Sequence, residues 1–249
     1  MTAAIPSVVF GGWRELKRDL IHELFPEDGR FRQGAYLFRG MADAGWHLTT
    51  SFDRRFAQHP PRQRVALFER LVENFRRACQ DYGVPEQVWS DDRKLLALGQ
   101  HYGLPTRLLD WSESPYIAAF FAFQDIPGAA DPGVGHICVW ALHRSAPAWH
   151  PDLGVEVFSA PSSENSRARN QSGYFTLSRG PFATLEEHVT HVDDSGTALR
   201  QFLVPRAEAA AALADLDIMG VNHARLFPDL SGAAQASTLR LLLDSAPDA

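Results

Sequence analysis

Residues 100–123 read QHYGLPTRLLDWSESPYIAAFFAF, and the fold turns on how this stretch is divided. From Ser112, with Pro115 three positions on, a helix is predicted through Ile117, Ala118, Ala119, Phe120, Phe121, Ala122 and Phe123, because serine suits an N-cap and proline the first turn. It is apolar on every side and is therefore expected to be buried. The preceding half is different. Gln100, His101, Tyr102, Arg107, Asp110 and Trp111 place an amide, an imidazole, a phenol, a guanidinium, a carboxylate and an indole within twelve residues. Residues 105–111 read as irregular or extended. Polar groups so dense beside a core helix must satisfy one another or face a cleft. In the first case an Arg107–Asp110 or Arg39–Asp110 buried pair fixes the loop, with His101 and Trp111 as packing. In the second the segment is a functional site, and Asp110, between Leu109 and Trp111, is expected to be partly desolvated.

Working outward, Trp13, Leu16, Leu20 and Leu24 recur at three- and four-residue steps and predict a helix over 10–24, ended by Pro26. Residues 35–39 (AYLFR) read as a strand closed by Gly40 that delivers Arg39 at its end. Residues 61–82 form an amphipathic helix, with Val65, Phe68, Leu71, Val72, Phe75 and Cys79 on one face and most arginines on the other. A further helix runs over 91–101 and stops at Gly103. Downstream, 135–142, 154–160, 173–177 and 199–205 read as strands, 162–172 as a polar surface loop and 193–196 as a turn. Alanine-rich helices over 206–216 and 233–243 flank an irregular 222–230. With no repeat, low-complexity tract or long linker, the expectation is one α+β domain over 1–249 with strands of mixed direction.

The 249 residues are 45% hydrophobic and 22% charged, an ordinary globular balance. No apolar run reaches the ~18–20 residues of a membrane span, and the N-terminus lacks a basic region before its short apolar stretch. A soluble cytoplasmic protein without membrane partners is expected. Cys79 and Cys138 read as buried thiols. The formal charge of -6 argues against holding polyanions by whole-molecule charge. A local patch is another matter: Arg54, Arg55, Arg62, Arg64, Arg70, Arg76 and Arg77 face only Glu69 and Glu73 between 54 and 77, and Arg62, Arg76 and Arg77 are the candidate nucleic-acid contacts. Because lysine occurs only at Lys17 and Lys94, this arginine count also reads as compositional bias. G-x-G-x-x-G, P-loop and G-x-S-x-G patterns are absent from the sequence. His188 and His191, after Glu187, lack a third ligand at a recognisable spacing, so no metal is expected.

Five blocks then define a resemblance. They are Phe38-Arg39-Gly40; Trp46-His47-Leu48 with Ser51; Gln100 to Phe123; Arg169-Asn170-Gln171-Ser172-Gly173-Tyr174-Phe175; and Leu226-Phe227-Pro228-Asp229-Leu230-Ser231-Gly232. In order, spacing and wording they resemble the FRG-domain family, with core motifs over 35–232. FRG domains are similar to ADP-ribosyltransferases of the nucleobase-modifying type found in toxin and phage-defence settings. The resemblance implies a mixed or antiparallel split sheet with helical N-terminal and C-terminal elements. It also implies NAD as co-substrate, DNA or RNA as acceptor, and an antitoxin or a reversing hydrolase as a possible partner. Arg39 matches the arginine ending the first strand, Leu109-Asp110-Trp111-Ser112 before Ala118–Phe123 the second motif, and Gln171 the third, where many such transferases carry glutamate.

On that pattern Arg39 suits the diphosphate as a bidentate cation, and Tyr102 or Trp111 supplies a stacking face. Gln171 bonds a ribose hydroxyl, and Asp110 stabilises the ribosyl cation or takes a proton, with His101 as the alternative base. Gly40, Gln100, Thr106, Arg107 and Ser112 complete the expected binding set. Two other functions fit the same residues: a non-catalytic nucleotide- or nucleic-acid-binding sensor, and an NAD glycohydrolase.

Overall fold

The computed structural model describes residues 4–127, 134–159, 173–193 and 195–245. Its described strands form one curled sheet: β1 (Ser7–Val9), β2 (Tyr36–Met41), β3 (Leu108–Ser112), β4 (His136–His143), β5 (Val155–Ser159), β6 (Gly173–Ser178) and β7 (Leu199–Pro205). The order is β1-β7-β4-β2-β3-β6-β5, antiparallel throughout except for the parallel β1–β7 pair. The sheet is therefore mixed, as expected.

Alternation along the strands sorts the core. Phe38, Ile137, Val139, Ala141, Phe202 and Val204 face one layer of helices. That layer is α1 (Trp13–Leu24), the apolar α6 (Pro115–Phe123) and α8 (Ala209–Ile218). Leu37, Leu109, Trp111, Cys138, Trp140 and Leu142 face the other side, where α7 (Leu185–Val192) contributes Leu185 and Val189. A third cluster joins Leu108 and Leu177 to α2 (Ser51–Arg55), α3 (Pro61–Asp81) and α5 (Asp92–His101). The short α4 (Glu86–Trp89) precedes α5. The C-terminal part closes with α9 (His223–Leu226) and α10 (Leu230–Asp244). Both cysteines are buried and unbonded. Among the described residues no helix is long and apolar enough to cross a membrane.

Several elements differ from the sequence reading. Residues 108–112, overlapping the stretch read as irregular or extended, are a regular strand, because β6 pairs with every residue from Leu108 to Ser112. Three-residue β1, five-residue α2 and four-residue α9 are too short to show a period. Helix α10 starts at Leu230, ahead of the expected 233, because the Asp229 side chain accepts the Gly232 amide at 2.9 Å and caps it. The expected loop at 162–172 and candidate Gln171 lie outside the described residues.

Gly40 is where the sheet meets α6. A Cβ added there would fall 1.8 Å from the Ala118 carbonyl oxygen and 2.9 Å from the Ala122 nitrogen, both backbone atoms. Glycine lets α6 lie directly on β2. Gly40→Ala is expected to push the helix off the strand and lower stability at the upper end of the roughly 1–3 kcal/mol that overpacking costs. Urea unfolding measures this; a midpoint equal to that of the unsubstituted protein would show that the contact yields freely.

Candidate functional site

The site begins where the sheet comes apart. Strands β2 and β3 share a single register pair, Phe38 opposite Ser112. Beyond it β2 stays with β4 as far as Met41, while β3 stays with β6. The carbonyl of Asp110 thus lacks a β2 amide, and Arg39 reaches across the gap to supply the hydrogen bond: its Nη1 donates to Asp110 O at 2.8 Å. The same Nη1 lies 3.6 Å from Asp110 Oδ2. Arg39 Nε is buried with no hydrogen-bond partner among the described residues. Burial pulls the Arg39 pKa down; Asp110 opposes the fall and the nearby charge of Arg54 adds to it. A further anion at this point would relieve both deficits.

Asp110, expected to be partly desolvated, is more open than covered. Its side chain is 61% exposed, because strand alternation sends Leu109 and Trp111 into the core and Asp110 the other way. It is nevertheless fixed. Gln100 Nε2 donates to Asp110 Oδ1 at 2.8 Å, while Gln100 Oε1 accepts the Thr106 hydroxyl at 2.6 Å. A carboxylate only accepts, so this orientation of the amide is the one the chemistry demands. Ser51 and Thr106 then exchange bonds: Ser51 Oγ donates to the Thr106 carbonyl at 3.2 Å and accepts the Thr106 amide at 3.0 Å. A relay of four residues, Ser51–Thr106–Gln100–Asp110, ties α2 and α5 to β3.

Two cavities meet at Arg39 and Asp110. The larger, about 650 Å³, is walled by Ser51, Arg54, Arg55, Gln100 and the 103–105 turn. Three arginines against one carboxylate make it cationic. The smaller, about 290 Å³, is an apolar slot between β2, β3 and α6 lined by Phe38, Gly40, Trp111, Ser112, Phe121 and Phe227. The Phe121 and Phe227 rings stand 6.2 Å apart at 82°.

The predicted residues are thus divided. Arg39, Gly40, Gln100, Asp110, Trp111 and Ser112 line one or both cavities, and Thr106 adjoins them through Gln100. Gly40 there acts in packing, and Trp111 is 3% exposed with Nε1 donating to Thr176 Oγ1 at 3.1 Å. Arg107 lines neither cavity and is 1% exposed. Its Nε lies 3.0 Å from Asp53 Oδ2, and Nη1 and Nη2 donate to the Gly180 and Phe182 carbonyls at 2.9 Å. The buried pair anticipated for Arg107 therefore exists, with Asp53 as partner in place of Asp110. His101 and Tyr102 are exposed at the end of α5, in edge contact with each other and outside both linings.

On α3, Arg62 is exposed, but Arg76 pairs with Asp92 at 2.7 Å and Glu73 at 3.4 Å, and Arg77 with Glu73 at 3.0 Å. Arg64, counted in the arginine run, is 5% exposed beside Asp53. The cations that do reach the cavity, Arg54 and Arg55, were counted in the arginine run but not singled out. Phe121 and Phe227, which supply the aromatic walls, were not singled out either, although Phe227 stands in the fifth block.

His188, one of the two histidines weighed as ligands, is buried with Nε2 at 2.9 Å from the Ala148 carbonyl. Among the described residues no group of three metal-ligating side chains converges.

Comparison with known proteins bears on this part of the chain. Residues 34–130 match the family model of the FRG domain. The matched stretch contains β2, α2, α3, α5, β3 and α6, and hence Arg39, Arg54, Arg55, Gln100 and Asp110. The match supports the FRG family for this segment. No curated protein and no solved structure matches the chain.

Proposed function

We propose that the cleft between β2 and β3 binds NAD and transfers its ADP-ribose to a nucleobase. The observation that supports this best is the junction at Arg39: a cationic cavity holding three arginines opens on an apolar aromatic slot, with a fixed carboxylate between them. A dinucleotide needs those features in that order. Arg39, with its free Nε, and Arg54 and Arg55 would take the diphosphate. The slot beside Phe121 and Phe227 would take the flat leaving ring. Asp110 would then lie beside the ribose, where breaking the nicotinamide bond builds positive charge on the sugar. A carboxylate held by Gln100 needs little reorganisation as that charge appears.

The test is mass spectrometry of oligonucleotides incubated with the protein and NAD, alongside nicotinamide release with and without nucleic acid. A base-linked adduct supports transfer; release indifferent to any acceptor would make the protein an NAD glycohydrolase. Arg54→Ala with Arg55→Ala is expected to weaken NAD binding roughly 10–100-fold, since each removes a charge-assisted contact. Unchanged affinity in calorimetry would place the diphosphate elsewhere. One observation favours a second reading, a nucleotide-binding sensor without turnover: both Asp110 oxygens already face partners, Gln100 and Arg39. Tight NAD binding with no nicotinamide release under any condition would select it.

A further inference from the structure

The fifth sequence block, residues 226–232, enters the cleft through Phe227, while Asp229 and Gly232 shape the corner that holds it. A Cβ on Gly232 would fall 2.0 Å from the Phe227 carbonyl oxygen and 2.8 Å from that of His223. Only glycine allows α9 and α10 to meet backbone against backbone, and the Asp229 cap fixes the corner. Phe227 lines the slot and also a third cavity, of about 610 Å³, between the end of α6 and the α9–α10 corner.

This third cavity has one apolar wall, from Phe227, Leu239 and Leu242, and a polar one that includes Gln124, Asp125 and His223. It holds an acidic residue and neither lysine nor arginine, the reverse of the arginine cavity. His223 is 8% exposed, its ring 4.9 Å from that of Phe120 and 5.9 Å from that of Phe227. Its Nδ1 and the Gln124 Oε1 are both buried without a hydrogen-bond partner among the described residues. Buried polar atoms are costly to leave unpaired, and these two come from different elements that border the same space. Burial also lowers the His223 pKa, against the opposing charge of Asp125. The neutral imidazole so favoured offers one donor and one acceptor.

We infer that the third cavity is a nucleobase subsite, taking a flat uncharged ring against Phe227 and the leucines with its polar edge toward Gln124 and His223. A phosphate is disfavoured there by Asp125, and an aliphatic ligand would leave the polar wall of Gln124, Asp125 and His223 without a partner. The inference rests on the nucleotide reading of the neighbouring cleft, to which Phe227 joins it. The base belongs either to a dinucleotide held at Arg39 or to a nucleic-acid acceptor; the recognising chemistry is the same.

Equilibrium binding separates these cases. The ligands are NAD, nicotinamide mononucleotide and a short single-stranded DNA; the proteins are the unsubstituted chain, Ala234→Trp, Gln124→Leu and Arg54→Ala. Ala234 is exposed on α10 and lines the cavity, so tryptophan there fills it from the solvent side; Gln124→Leu instead removes the hydrogen-bonding edge. If the base is that of the dinucleotide, both cavity variants lose roughly tenfold in NAD affinity, while nicotinamide mononucleotide is unaffected. If it belongs to the acceptor, both lose a similar factor for DNA and none for NAD. Should both variants retain full affinity for NAD and DNA while Arg54→Ala weakens NAD, the subsite is refuted and the nucleotide reading stands. Failure of the unsubstituted protein to bind any of the three ligands overturns both.

Discussion

Replacing Arg107 by alanine is expected to lower the stability of the folded protein by about 3–5 kcal/mol, the cost of breaking a buried ion pair from one side. Asp53 and Arg107 are each 1% exposed. Without the guanidinium, Asp53 keeps the Thr50 hydroxyl at 2.7 Å and a longer contact to Arg64 at 3.6 Å. The Gly180 and Phe182 carbonyls lose their donors. Removing both charges of the pair, as Asp53→Leu with Arg107→Met, is expected to recover only part of the loss, because Asp53 no longer stands as an unpaired carboxylate while Arg64, 5% exposed, loses its partner. Urea unfolding of the single and double variants is the measurement. A loss below about 1 kcal/mol in Arg107→Ala would mean that Arg64 alone neutralises Asp53. The consequence reaches the cleft, since Asp53 belongs to α2, which carries Arg54 and Arg55 to the cavity wall.

That network shows which features are legible in a sequence. Helices α3, α5 and α6 and strands β2 and β4 were legible because each carries its own pattern: an apolar stripe, a capping residue or a run of β-formers. Asp53 and Arg107 carry none. They are 54 positions apart, and nothing local distinguishes Arg107, which is buried, from Arg39, which faces the cleft. The segment 100–112 announced itself by the density of its polar groups, and the structure divides that density between two tasks. Gln100 and Asp110 line the cleft, while Arg107 and Trp111 bond inward, to Asp53 and Thr176. Period-two alternation in β3 makes that division for Trp111 and Asp110, but only once the segment is known to be a strand.

Arg54 and Arg55 escaped notice for a different reason. A five-residue helix has no periodicity to read, and the amphipathic α3 after it drew the arginine run to itself. There the count leaves out the partners: Glu73, three and four residues away, pairs with both Arg76 and Arg77, and Asp92 holds Arg76 as well. The glycines Gly40 and Gly232 stood out as parts of blocks; the backbone contacts that require them are formed only by the packed fold.

Asp110→Asn is expected to reduce nicotinamide release by roughly 10²–10³, the usual loss when one fixed electrostatic stabiliser is removed, with little change in NAD affinity. The exposure of Asp110 moves the reasoning from the free protein to the complex. In the open cleft its charge is screened by water, and its contact with Arg39 at 3.6 Å is a partly exposed pair of the kind worth about 0–1 kcal/mol. Unfolding of the variant is therefore expected to differ little. A ligand filling the arginine cavity and the slot would cover Asp110 from both sides, displace that water and raise the effect of the charge on a developing ribosyl cation. Asparagine keeps the shape and can still accept the Gln100 amide through its oxygen, so the relay to Thr106 and Ser51 survives while the charge does not. A drop in turnover at unchanged KM and unchanged stability isolates the electrostatic part. Near-normal turnover would reduce Asp110 to an anchor for Arg39.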